Sequence, residues 1–209
     1  MKLTPKGVFW LKVLIHLVLL STFVYLWYLV DQDLLGADPV KEMTHFLGKA
    51  ALNTLIITLC ITPVAKQFKL GLLLQTRRVL GLYAFLWATL HLLLFAWLEL
   101  QWDIALFFTE VVKRPYLTLG ALAWFILLLL SITSLTSIRK KIKKSWQTLH
   151  RFVYIALLFI VIHYYWSVKS GVIEASIYIA IALCLLWLRR EEIKKWLMSL
   201  LPRKSTKMD

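Results

Sequence analysis

Five histidines are the residues of this chain best suited to chemistry: His16, His45, His91, His150 and His163. A neutral imidazole can ligate a metal ion, relay a proton or simply bond a carbonyl. Four of the five lie in strongly apolar surroundings. One such stretch, "LHRFVYIALLFIVIHYYW", holds both His150 and His163. Ionisable groups inside apolar segments are costly in lipid and point to function. Which chemistry applies depends on the elements that carry the rings and on their relative depth.

Those elements are helices. The chain has 209 residues, 60% hydrophobic and 17% charged, and its charge is gathered in short clusters between long apolar runs. That pattern excludes a soluble globular domain and a disordered chain. Six runs, at about residues 9–30, 46–65, 79–98, 117–135, 149–166 and 172–188, are each long enough to cross a ~30 Å hydrocarbon core as a helix. The first is too long for a signal peptide and reads as a retained helix. The expected fold is an all-α integral membrane protein, a six-transmembrane-helix bundle filling residues 1–209 as one domain. Its loops are too short for a soluble domain, no nucleotide-binding glycine motif occurs, and no internal repeat is visible.

Charge gives the orientation. Lys2, Lys6 and Lys12, then Lys66, Lys69, Arg77 and Arg78, then Arg139, Lys140, Lys141, Lys143 and Lys144, and finally the tail 189–209 with Arg189, Arg190, Lys194 and Lys195 form the basic segments. The alternate loops carry Asp31, Asp33, Asp38 and Glu42, then Glu99, Asp103 and Glu110. By the positive-inside rule both termini and the basic tail are cytoplasmic. The net charge of +14 is thus an orientation signal with anionic membrane lipid as its counter-charge, and no nucleic acid is implied.

Depth then sorts the histidines. Counted from Glu99 and Lys169 as outer helix ends, His91 and His163 lie about 12 and 9 Å deep. Two imidazoles at one depth are a ready axial pair for a b-type heme, with little else polar nearby to complete a proton relay. His150, thirteen residues before His163, is ~20 Å away along a continuous helix and cannot share one iron with it. It could instead hold a second heme with His16, contact a propionate, serve an inner donor site, or snorkel to the interface. His45 stands at the outer mouth of the second helix. Arg77 and Arg78 are either anchors or a grip on a propionate, a quinone headgroup or a flavin phosphate. Most of the ten tryptophans read as interfacial belts, with Trp87 and Trp124 inside spans. Cys60 and Cys184 form no CxxC motif and read as small buried hydrophobes.

Five segments carry a family resemblance: "LGADPVKEMTHFLGKAAL", "TRRVLGLYAFLWATLHL", "KRPYLTLG", "WQTLHRFVY" and "IHYYWSVK". Together they resemble the MsrQ family, the heme-binding membrane subunits of the protein-methionine-sulfoxide reductase system, within the ferric-reductase-like transmembrane group. The resemblance implies a six-helix bundle in the bacterial inner membrane holding heme b, with FMN also attributed to the family. It implies electrons drawn from the quinone pool, or from a cytosolic flavin reductase. They pass to a periplasmic molybdopterin-containing methionine sulfoxide reductase subunit that repairs oxidised proteins. By position, His91, His150 and His163 become the heme-ligand candidates. Two departures stand out. Larger relatives with two stacked hemes carry a second histidine on the third helix, where this chain has Arg77 and Arg78. Lys49 stands where the family more often has arginine. The competing reading is a small transporter or assembly factor without a redox centre, against which the lack of acidic residues inside the spans counts.

Overall fold

The computed structural model describes residues 3–143, 145–168 and 171–200. Lys2, Lys144, Lys169 and residues 201–209 of the basic tail lie outside the described residues. Ten α-helices and no strand occur among the described residues. They are α1 (Pro5–Asp31), α2 (Pro39–Gln67), α3 (Arg77–Leu94), α4 (Ile104–Lys113), α5 (Pro115–Thr133), α6 (Thr136–Ile142), α7 (Ser145–His150), α8 (Val153–Ser167), α9 (Val172–Leu188) and α10 (Arg190–Leu200). A 3-10 turn, Gly71–Thr76, leads into α3, and a π turn, Phe95–Glu99, follows it.

Local chemistry sets the starts. Proline, whose missing N–H costs nothing at a helix N-terminus, opens α1, α2 and α5. Thr4 and Asp38 cap α1 and α2 by accepting from the backbone N–H of Gly7 and Lys41. Five segments are long and apolar enough to span a bilayer: Pro5–Asp31, Pro39–Gln67, Gly71–Glu99, Pro115–Thr133 and Ser145–Ser167. The count reaches six if α9 and α10, bent by 70° at their junction, are taken together.

Helices α2 and α3 pack along one another, as do α5 and α8, and the two pairs meet around a shared core. That core joins Leu52, Leu55 and Leu59 of α2 to Ala84 of α3, Leu127 of α5, Leu157 and Val161 of α8, and Leu185 of α9. Ala84, Ala156 and Ala182 are fully buried. Small side chains let helix backbones approach closely where lipid removes the ordinary hydrophobic drive. A second cluster, Leu26, Leu47, Ala51 and Trp87, attaches α1 at the periphery. The remaining faces of α1 are exposed apolar side chains such as Leu17, Phe23 and Trp27, which suits contact with lipid. Cys60 is partly buried, but Cys184 is exposed on the same kind of surface, so only the first resembles the buried hydrophobe expected.

Three features depart from the sequence reading. The run 149–166 is not one continuous helix: α7 ends at His150, a tight turn at Arg151 and Phe152 intervenes, and α8 begins at Val153. The start of the tail is helical. α10 folds back under the bundle, with Trp196 packed edge-on against Phe152 at 5.1 Å and Glu192 bonded to Lys66 of α2. Finally, Pro63 lies inside α2. It has no N–H for the carbonyl of Leu59. Arg189, at the junction of α9 and α10, supplies the donor: its Nη2 reaches the Leu59 carbonyl oxygen at 2.8 Å.

Candidate functional site

His91 is carried by α3 and His163 by α8, each within the last five residues of its helix. Their ring centroids are 6.1 Å apart and their planes nearly perpendicular, at 83°. Each ring is held from behind in the same way. His91 Nδ1 donates to the Thr44 carbonyl of α2 at 2.9 Å, and His163 Nδ1 donates to the Tyr116 carbonyl of α5 at 2.7 Å. A carbonyl can only accept, so both neutral rings carry their proton on Nδ1 and keep the Nε2 lone pair free. A carbonyl bond of this kind is the usual device for orienting a metal-ligating histidine. With metal–imidazole bonds of about 2.0–2.1 Å, two rings sharing one ion have centroids about 6 Å apart. The pair therefore fits a single ion between them. Among the described residues no group of three or more His, Cys, Asp or Glu converges, so any further ligands must come with the ion, as a porphyrin's nitrogens do.

His150 belongs to a different layer. Its Nε2 lies 3.1 Å from Thr133 Oγ1, and its ring stacks on Trp146 with centroids 4.1 Å apart. Trp146 donates to the Thr133 carbonyl at 3.1 Å and lies under the Arg139 guanidinium at 4.5 Å. His150 faces a cavity of about 510 Å³ at the basic end of the bundle, which Arg77, Arg78, Arg139, Arg151 and Arg189 also line. Arg77 Nε and Thr62 Oγ1 are buried there without a protein partner. Among the described residues Glu192 is the one acid of the lining, and it is engaged by Lys66 and Arg189. Neither His91 nor His163 lines this cavity, which lies one layer away from the pair.

The other histidines are placed elsewhere. His16 bonds the Tyr83 hydroxyl at 2.6 Å and is absent from the cavity lining, so it does not meet His150 as a second axial pair would require. His45 sits edge-on to Tyr164 at 6.4 Å, near an ion pair of Lys49 with Glu174 at 3.4 Å. Trp124 joins α5 to α3 by donating to Thr89 Oγ1 at 3.1 Å. Trp87 packs into the α1 contact.

The family described as ferric reductase like transmembrane component matches residues 47–161. The protein-methionine-sulfoxide reductase heme-binding subunit MsrQ of Salmonella arizonae is 46% identical over 197 residues, 94% of this chain and 99% of the relative. The chain belongs to the MsrQ family. The MsrQ proteins of Salmonella paratyphi B and Salmonella heidelberg are each 45% identical over the same shares. No solved structure matches. With its apolar helices, this chain is a multi-pass membrane protein.

Within the chain the two halves of the His91–His163 site are built alike. Both histidine-to-carbonyl bonds span 47 residues. Thr44, Gly48 and His91 each recur 72 positions later as Tyr116, Gly120 and His163. Extending that register, Arg78 is the counterpart of His150, so the layer at the basic end pairs an arginine with a histidine where the other layer pairs two histidines. Sequence reasoning missed Thr44 and Tyr116, because they act through backbone carbonyls. The two mid-helix glycines at matched positions were the available signal.

Proposed function

We propose that this chain is the heme-binding membrane subunit of a protein-methionine-sulfoxide reductase system in the bacterial inner membrane. In this reading it moves electrons to a periplasmic, molybdopterin-containing reductase subunit. The observation that carries the reading is the facing pair His91 and His163, each locked by a carbonyl into the tautomer that leaves Nε2 free. The two side chains would hold heme b on its axial positions. Heme b, when bound there, supplies a one-electron ferric/ferrous couple. Both imidazoles would be engaged in holding the group, His91 from α3 and His163 from α8. The carbonyl bonds from Thr44 and Tyr116 would keep both rings oriented toward the bound group.

The basic end is cytoplasmic in this reading, which puts the histidine pair nearer the periplasmic face, where an acceptor docks. The arginine-lined cavity would then receive the donor side: a quinone headgroup, or FMN through its phosphate, with a cytosolic flavin reductase as an alternative source at the same face. Arginine suits either ligand, because its planar fork binds phosphate or carbonyl oxygens in pairs.

A spectrum tests the main claim. Purified protein is expected to show a split b-type absorbance on dithionite reduction; absence of any heme absorbance sinks the proposal. The donor side has its own test. Arg77→Gln removes a buried cation whose Nε has no protein partner. A charge-assisted hydrogen bond contributes about 1.5–3 kcal/mol, so the concentration of quinol analogue or FMN needed for half-maximal heme reduction should rise roughly 10- to 100-fold. Heme content should stay at the wild-type level. Unchanged reduction by both donors removes Arg77 from the donor site.

A further inference from the structure

We propose that Gly48 and Gly120 are the positioning residues that fix the two axial imidazoles, each by leaving out a Cβ where the ring crosses its neighbouring helix. The inference rests on the heme reading above and extends it to residues that touch only the ligands.

The geometry is specific. A Cβ built on Gly120 would lie 2.9 Å from His163 Nδ1 and 3.0 Å from its Cε1. A Cβ on Gly48 would lie 3.2 Å from His91 Nδ1 and 3.3 Å from its Cε1. By contrast Gly81, also mid-helix, has only Thr58 Cγ2 at 4.0 Å from its virtual Cβ. Glycine in a helix interior costs about 1 kcal/mol relative to alanine, so each site needs a compensating reason. Here the reason is the hydrogen bond. The carbonyls that accept from the rings belong to Thr44 and Tyr116, four residues before Gly48 and Gly120. In a helix the carbonyl at i points along the backbone toward residue i+4. Removing the side chain at i+4 opens the flank of that carbonyl, and the imidazole enters the notch. Glycine and carbonyl therefore act as one clamp, present once in each half of the site.

The two clamps are not equally tight. His163 has the shorter bond, 2.7 Å against 2.9 Å, and the closer virtual Cβ. The Tyr116 ring also lies against it, with centroids 5.9 Å apart. An added methyl at Gly120 must displace the ring from its carbonyl, whereas one at Gly48 needs a shift of only a few tenths of an ångström.

The test compares wild type, Gly48→Ala and Gly120→Ala as full-length detergent-solubilised proteins, matched for folded material by gel filtration. It reads heme affinity by titration, the g values of the low-spin ferric signal and the midpoint potential. Gly120→Ala is expected to bind heme at least tenfold more weakly. Gly48→Ala is expected to keep heme with shifted g values, because the ring plane turns. If Gly120→Ala does not accumulate, the milder Gly48→Ala carries the test alone. A wild type that binds no heme overturns the heme reading itself. A heme-bearing wild type whose alanine variants keep the same affinity, g values and potential overturns the positioning role. So does a lower yield of folded variant with unchanged spectra, since that is what a glycine needed only for helix packing would give.

Discussion

His163→Ala is expected to fold and to lose its b-type spectrum. The imidazole is one of two groups that can reach a shared ion, and no third ligand-bearing group converges among the described residues. Partners that merely orient a metal ligand are worth about 10–100-fold in affinity, so loss of the ligand itself should exceed that range. The fold should survive, because the Tyr116 carbonyl lies within α5 and keeps its helical donor at Gly120. His91→Ala should behave alike, with the Thr44 carbonyl likewise lying within α2. The informative contrast is His150→Ala. Its ring bonds Thr133 and stacks on Trp146, a layer away, so the low-spin spectrum of the outer pair should remain. Pyridine hemochrome quantitation against protein, with circular dichroism for helix content, reads all three. Full heme retention in His163→Ala or His91→Ala removes the pair from the axial positions; loss of all heme in His150→Ala would move the site to the inner layer.

The closeness of His91 and His163 was legible because its signal is linear. Depth follows from counting residues to a charged helix end, and that count brought His91 and His163 to one level without any knowledge of packing. The inner layer was harder for a physical reason. The sequence predicts a continuous helix from residue 149, whereas the break at Arg151 and Phe152 lies in an apolar run that carries no glycine or proline to announce it. Trp146 and Thr133, which hold His150, are ordinary residues whose roles exist only once α5 and α7 meet. The repeat escaped notice because hydropathy is nearly uniform along every span. At the 72-residue interval glycine recurs between Gly48 and Gly120 and histidine between His91 and His163, while the other identical pairs, such as Leu47 with Leu119 and Ala84 with Ala156, are mostly common apolar residues that any two spans share. The arginines belong to basic clusters in the sequence, but charge counting cannot show that Arg77 and Arg189 turn inward while, among the described residues, the neighbouring lysines do not line the cavity.

Arg189 was counted only as part of a basic tail, yet it is 6% exposed and its replacement should be the most destabilising single change at the basic end. Its Nη2 donates to the Leu59 carbonyl at 2.8 Å, and its Nη1 to the Tyr154 hydroxyl at 3.1 Å and to Glu192 at 3.3 Å. The first bond answers a defect in α2, since Pro63 has no N–H to give to that carbonyl. Inside a membrane protein an unsatisfied carbonyl has no water to fall back on, and a partner from a neighbouring helix is how an interior proline is tolerated. Arg189→Met keeps much of the apolar stem and removes the donors. Hydrogen bonds from a charged group contribute about 1.5–3 kcal/mol, so a loss of about 2 kcal/mol in unfolding free energy is expected for the detergent-solubilised protein. The cause can be isolated with a second change. Pro63→Ala restores an N–H four residues after Leu59, so in that background the carbonyl no longer depends on Arg189. The cost of Arg189→Met should then fall by about 1 kcal/mol, a coupling of the size expected for residues sharing one acceptor. The remainder reports the bonds to Tyr154 and Glu192, which hold the turn from α9 into α10 and with it the wall of the arginine-lined cavity. An equal cost of Arg189→Met in both backgrounds would mean that the helix defect at Pro63 is satisfied in some other way, and that Arg189 is there for the cavity alone.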